Sequence, residues 1–222
     1  MSQNNKKIYL IGVDDSDISN LTIRALKIIK ESNALIISKD FDENCIKFLK
    51  QNNEIIFYEE ELSKSIGNSL WKSFIKLLDS NQQIAHLSAG DPLIEKIGIN
   101  EFKYFKEKKI SCEIIPGVIG FVNYLNKTSN FLTDREKNSS ITLLEKFNKK
   151  TLSNLLQNSY FEKLIVYLKS EKEYEQLKLL MKKYSFKINI IKSYKSKNTK
   201  KLESSGQFYQ GSYIIIEKNE QI

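Results

Sequence analysis

Short apolar runs alternate with segments of helical periodicity along the whole chain, and few architectures accept that rhythm. "KKIYLIGV", "NALIIS", "EIIFY", "QIAHLS" and "CEIIP" read as buried strands. The first helix is expected in "DISNLTIRALKIIKES", where Ile18, Leu21, Ala25, Ile28 and Ile29 share one face and Asp17 can cap the start. "DENCIKFLKQ" and "INEFKYFKEKK" read as further helices, as does "GNSLWKSFIKLLDS", where Leu70, Trp71, Phe74, Leu77 and Leu78 share a side. Strands alternating with helices predict a mostly parallel α/β sheet. Beyond Pro116 the rhythm continues through "GVIGFVNYLNK" (helix), "SSITLLEK" (strand), "KKTLSNLLQNS" (helix), "KLIVYLK" (strand) and "EKEYEQLKLLMKKY" (helix). "KINIIKSY" and "GSYIIIEKN" then follow as strands with no helix between them, so the second sheet is expected to be mixed. The fold class is α/β, in two domains: 1–116 with a parallel sheet and 117–222 with a mixed one, and a ligand cleft between them.

Composition narrows the function classes. The chain has 222 residues and is 41% hydrophobic, enough for a sizeable core. No apolar run approaches the ~18 residues of a membrane span, and the run near the N-terminus is too short for a signal segment, so a cytoplasmic protein without a membrane partner is expected. Cys45 and Cys112 do not make a disulfide framework, and with His86 as the one histidine they do not make a zinc site; no metal is expected. The formal charge is +8, carried almost wholly by lysine, with only Arg24 and Arg135 as arginines. The lysines are scattered over helical segments rather than clustered with aromatic platforms, so nucleic acid is not an expected partner.

In parallel α/β sheets ligands bind beyond the carboxyl ends of the strands. The loops there are "GVDDSD", "SKDFD", "SAGDPLIEKIG" and "PGVIG". Glycine lets a ligand approach the backbone, and aspartate accepts hydrogen bonds from hydroxyl or amine groups. The chain's two prolines, Pro92 and Pro116, both stand at such strand ends. "GVDDSD" lacks the second and third glycines of a dinucleotide fingerprint, and there is no Walker A loop, nucleophile elbow or metal-ligand spacing.

In order and spacing these segments resemble the tetrapyrrole methylases. "IYLIGVDDSDISNLTIRALKIIKESNALIIS" is similar to that family's opening strand, G-x-G-P-G-D loop, "LT-x-x-A" helix and second strand. "HLSAGDPLIEKIG" and "CEIIPGVIGFVNYL" resemble its G-G-D-P and P-G-V-T-S segments. "FLTDREKNSSITLL" looks like the branch that methylates uroporphyrinogen III, and "LIVYLK" like the family's Y-M-G strand. The resemblance implies two α/β domains, a homodimer, and S-adenosyl-L-methionine bound against the Gly-Asp-Pro loop. It implies methyl transfer to an electron-rich carbon of an anionic tetrapyrrole, uroporphyrinogen III or a precorrin, in sirohaem or cobalamin synthesis. Carried over by position, the cofactor-binding residues are Asp15, Ala89, Gly90, Asp91, Ile94, Ile119, Gly120 and Leu168.

The chain departs from the family at several of these places. Its first loop keeps only Gly12 and Asp17 of the pattern and adds Asp14 and Asp15, two carboxylates expected to face the cleft. Where the family has Y-D-R-L, with the Asp as proton acceptor, the chain has Ile37, Ser38, Lys39 and Asp40; Asp40 is the candidate catalytic residue. The basic G-K-R segment has no counterpart in "YEEELSKSIGN". The alternatives are a non-catalytic relative acting as a binding or assembly module, and a methylase of the same fold acting on rRNA.

Overall fold

A computed structural model of the chain describes residues 6–14, 17–65, 70–94, 96–127, 132–133, 140–158, 163–183, 186–191 and 212–218. The chain divides into two compact units, Met1–Gly120 and Phe121–Ile222. The first contains β1 (Lys7–Val13), α1 (Ile23–Glu31), β2 (Ala34–Ile37), α2 (Glu43–Asn52), β3 (Ile56–Tyr58), α3 (Glu59–Ser65), α4 (Leu70–Ser80), β4 (Gln83–Ala89), α5 (Lys96–Glu107) and β5 (Ser111–Ile115). Then come α6 (Gly120–Lys127), β6 (Ile141–Leu144), α7 (Lys149–Asn158), β7 (Lys163–Leu168), α8 (Glu171–Met181), β8 (Phe186–Ile191) and β9 (Ser212–Lys218). Among the described residues no helix is long and apolar enough to cross a membrane.

The first sheet has the order β3-β2-β4-β1-β5, and its neighbouring strands all pair parallel. Alternation along the strands feeds two cores. Ile11, Val13, Leu35, Ile37, Ala85 and Leu87 pack with Ala25, Ile28 and Ile29 of α1 and Leu49 of α2. On the opposite face Ile8, Leu10, Ile36 and Ile84 pack with Leu62 of α3, Phe74 and Leu78 of α4, and Phe105 of α5. Strands buried on both faces need apolar residues at nearly every position, which is why β2 reads "ALII".

This topology decides where a ligand can sit. β1 and β4 are neighbours, yet the chain leaving β1 crosses one face to reach β2, and the chain leaving β4 crosses the other to reach β5. Two adjacent strands whose connections diverge leave a crevice at their carboxyl ends.

The second sheet has the order β6-β7-β9-β8, with β6 and β7 parallel and the pairs β7–β9 and β8–β9 antiparallel. It is mixed, because β9 runs antiparallel to both of its neighbours. Its core joins Leu164, Val166 and Leu168 of β7 and Ile214 and Ile216 of β9 to Leu152 and Leu156 of α7 and Leu177 and Met181 of α8.

Two elements differ from the sequence reading. The helix expected from Asp17 is split: Asp17 caps a short 3-10 turn over Ile18–Asn20, Leu21 is extended, and α1 starts at Ile23 under a separate cap from Thr22. The Thr22 hydroxyl accepts from the Ala25 N–H at 3.1 Å, a local bond that competes with continuing the helix backward. Helix α3 was not expected. It is seven residues long, and Leu62 is its single buried side chain among those described, too little to set up a helical period.

Candidate functional site

Three strand-end loops meet at the crevice. Gly12 on β1 and Gly117 after β5 touch backbone to backbone. A Cβ built on Gly12 would lie 2.3 Å from the Gly90 carbonyl oxygen and 2.6 Å from the Gly117 nitrogen. One built on Gly117 would lie 2.2 Å from the same oxygen and 2.3 Å from the Gly12 carbonyl carbon. No side chain fits at either place, because the obstacles are main chain. Gly90, with φ +80°, closes the β4 end by donating its N–H to the Val13 carbonyl at 2.8 Å.

Asp91 ties the arrangement together. Its Oδ1 accepts from the Leu93 N–H at 2.8 Å and its Oδ2 from the Gly117 N–H at 3.3 Å, so one carboxylate shapes its own turn and holds the neighbouring loop. The turn is closed by the Ile94 N–H donating to the Asp91 carbonyl at 3.0 Å. Buried Pro92 is seated against Gly98, where a Cβ would lie 2.4 Å from the Pro92 carbonyl oxygen. The spacing of Gly-Asp-Pro and Pro-Gly in the sequence therefore reflects one interlocked piece of main chain.

Gly90 and Gly120 behave differently from Gly12 and Gly117. Nothing lies within 4 Å of a Cβ built on either, so the backbone there borders open space that a ligand can use. Ala89, Asp91, Ile94 and Ile119 are half-buried around these positions in the chain. This part of the first unit suits a ligand that lies against the main chain with apolar and carboxylate neighbours.

Leu168 is fully buried in the core of the second unit. Asp15 lies outside the described residues. Asp14, expected to face the ligand with its carboxylate, is buried instead. It accepts from the Asp17 N–H at 3.1 Å and from Asn20 Nδ2 at 2.8 Å, so its charge is spent on folding the first loop. Asp40 is exposed, two residues beyond the middle of the Ile37–Lys39 stretch, and its backbone N–H donates to Ser38 Oγ at 3.2 Å.

The charged cluster beside the Gly-Asp-Pro strand escaped the sequence reading. His86 on β4 and Glu101 on α5 are buried, at 2% and 1% exposure. His86 Nδ1 lies 2.9 Å from Glu101 Oε2, and Nε2 lies 2.9 Å from Glu59 Oε1 on α3. With a carboxylate oxygen at each ring nitrogen, both nitrogens must donate, and His86 is an imidazolium. Burial alone opposes that charge, but Glu101 and then Glu59 outweigh it and push the imidazole up to about 10. Trp71 Nε1 also donates to Glu101, at 3.2 Å, and Phe74 meets the imidazole edge-on with ring centroids 5.0 Å apart. No sequence pattern marks this cluster, because the partners of His86 lie 15 and 27 residues away on two helices.

Comparison with known proteins fits this geometry. Residues 7–190 match the model of the tetrapyrrole (corrin/porphyrin) methylases. A uroporphyrinogen-III C-methyltransferase of Cyanidium caldarium is 30% identical over 156 residues, covering 68% of this chain and 61% of that protein. One of Priestia megaterium is 23% identical over 144 residues, covering 62% of this chain and 59% of that protein. The matched stretch thus spans about three-fifths of the length of these curated relatives. The crystal structure of a Thermus thermophilus uroporphyrin-III C-methyltransferase complexed with S-adenyl homocysteine superposes with TM-score 0.67, covering 95% of this chain and 97% of that one. Its identity is 15%, so this last likeness is one of fold. With a family match that runs from β1 into β8 and takes in the glycine-packed loops, the chain belongs to the tetrapyrrole methylases.

Proposed function

We propose that the protein is an S-adenosyl-L-methionine-dependent methyltransferase acting on a tetrapyrrole, uroporphyrinogen III or a precorrin, in sirohaem or cobalamin synthesis. The observation that carries the reading is the interlock of Gly12, Gly90 and Gly117 under the Asp91 carboxylate, at the carboxyl ends of the strands where the sheet's connections diverge. Gly90 and Gly120, with open space at their Cβ positions, would let the cofactor lie against main chain, with Ala89, Asp91, Ile94 and Ile119 as neighbours. Bound there, the cofactor supplies an electrophilic methyl group. The chain's own contribution is to orient that group, to exclude water with Ile94 and Ile119, and to offer a carboxylate at Asp40 to accept the proton that leaves the methylated carbon. The proposed setting is a cytoplasmic homodimer with no nucleic-acid partner.

One observation favours a second reading, a relative that binds but does not turn over. The segment where the family resemblance leads to bases carries Glu59, Glu60 and Glu61 instead, and an anionic substrate would meet like charge there. Anaerobic incubation with S-adenosylmethionine and uroporphyrinogen III separates the two. The methylase reading predicts a product heavier by one or two methyl groups. Unchanged substrate mass, with cofactor binding intact, would leave the binding module.

A further inference from the structure

The three glutamates that open α3 each reach a different part of the fold. Glu59 meets His86 on β4. Glu60 accepts from Ser38 Oγ at 3.2 Å and from the Lys39 N–H at 3.2 and 3.4 Å, and Ser38 Oγ in turn accepts from the Asp40 N–H. Glu61 pairs with Lys39 Nζ at 2.7 Å. We propose that the first turn of α3 is a clasp that positions the Ser38–Asp40 loop, with Glu60 as the group that holds the loop and His86 as the anchor that holds the helix.

Apolar burial among the described residues of α3 is slight, so its polar ties matter. A seven-residue helix does not stand by itself, and Leu62 is its one buried side chain among those described. A further tie is the Ser73 hydroxyl of α4, which donates to the Leu62 carbonyl at 3.0 Å. The Glu59–His86 contact is charge-assisted and largely out of water, so it is the strong restraint at the helix start. The Lys39–Glu61 pair is half-exposed on both sides and adds little. Glu59 and Glu60 are adjacent, so fixing one fixes the carboxylate that receives the loop's N–H. His86 is fixed from behind by Glu101, which Trp71 also holds. A continuous path therefore runs from the strand that ends in Gly-Asp-Pro, through α3, to the loop that bears Asp40. Glu60 and His86 are positioning residues in this scheme. The inference concerns the loop's conformation, goes beyond the methyl-transfer reading, and does not depend on it.

Hydrogen–deuterium exchange on the full chain tests the clasp without any substrate. Glu60→Ala is expected to speed exchange at the Lys39 and Asp40 amides by about tenfold while leaving α3 and the melting temperature near wild type. Glu60→Gln, which keeps an acceptor oxygen, should restore most of the protection, a rescue that general destabilisation would not show. Glu59→Ala is expected to loosen α3 and the Lys39–Asp40 amides together; because Glu59 is part-exposed, it serves where a buried His86→Gln change prevents folding. Wild-type exchange at Lys39 and Asp40 in Glu60→Ala would overturn the proposal. So would loosening confined to α3 in Glu59→Ala.

Discussion

At the scale of single residues, the four loop glycines divide into two kinds with opposite predictions. Gly12→Ala and Gly117→Ala each drive a methyl into main chain that cannot move without separating two strands. Each should cost about 1–3 kcal/mol by urea denaturation. Gly120→Ala meets open space and should stay within about 1 kcal/mol of wild type. Equal losses at all three would mean that the backbone interlock is not what those loops are built on. His86 makes a pH prediction. Its folded pKa is raised from 6.5 to about 10, so its contribution to stability is full below about pH 6.5 and disappears as pH rises through about 10. The groups facing it are Glu101 on α5 and Glu59 on α3. Nearby Cys112, held up at about 12 by burial and then by Glu101, acts in the same direction but only above the ordinary thiol range. Stability should therefore fall between pH 6.5 and 9 in wild type and stay flatter in His86→Gln, read by denaturant midpoints across that interval.

At the scale of elements, local chemistry overrides periodicity where the two compete. The apolar pattern from Ile18 to Ile29 is a fair helical stripe, and Ala25, Ile28 and Ile29 do face the core. A second N-cap inside the pattern nevertheless starts α1 afresh at Thr22. Thr22→Ala should lower stability by about 1 kcal/mol, measured by urea titration. The central strands were legible because their middles are buried on both faces: β2 is apolar and buried at every position, and β1 and β4 hold long buried runs. Helix α3 was not, because its placement comes from polar ties to β4 and to the loop after β2, and such ties leave no period in a sequence.

At the scale of the whole molecule, the α/β class and the mixed second sheet were readable from element order. So was the clustering of Gly-Asp-Pro and Pro-Gly, since strand-end loops of a parallel sheet fall on one edge. What each carboxylate does there was not readable. Asp14 turned into its own loop, and Asp91 took backbone N–H groups from its own turn and from its neighbour. Asp14 finds its partners nearby in the chain, but Gly117 lies 26 residues from Asp91, and only the assembled sheet brings such groups together. The central claim is that this edge still binds S-adenosyl-L-methionine despite the altered side chains around it. Calorimetric titration of the full chain with S-adenosylmethionine tests it most directly. The account predicts saturable binding in the micromolar range, weakened about tenfold or more by Asp91→Ala, the loss of about 1.4 kcal/mol expected when a charge-assisted tie is removed. No heat at high micromolar ligand, or unaltered affinity in Asp91→Ala, would contradict it.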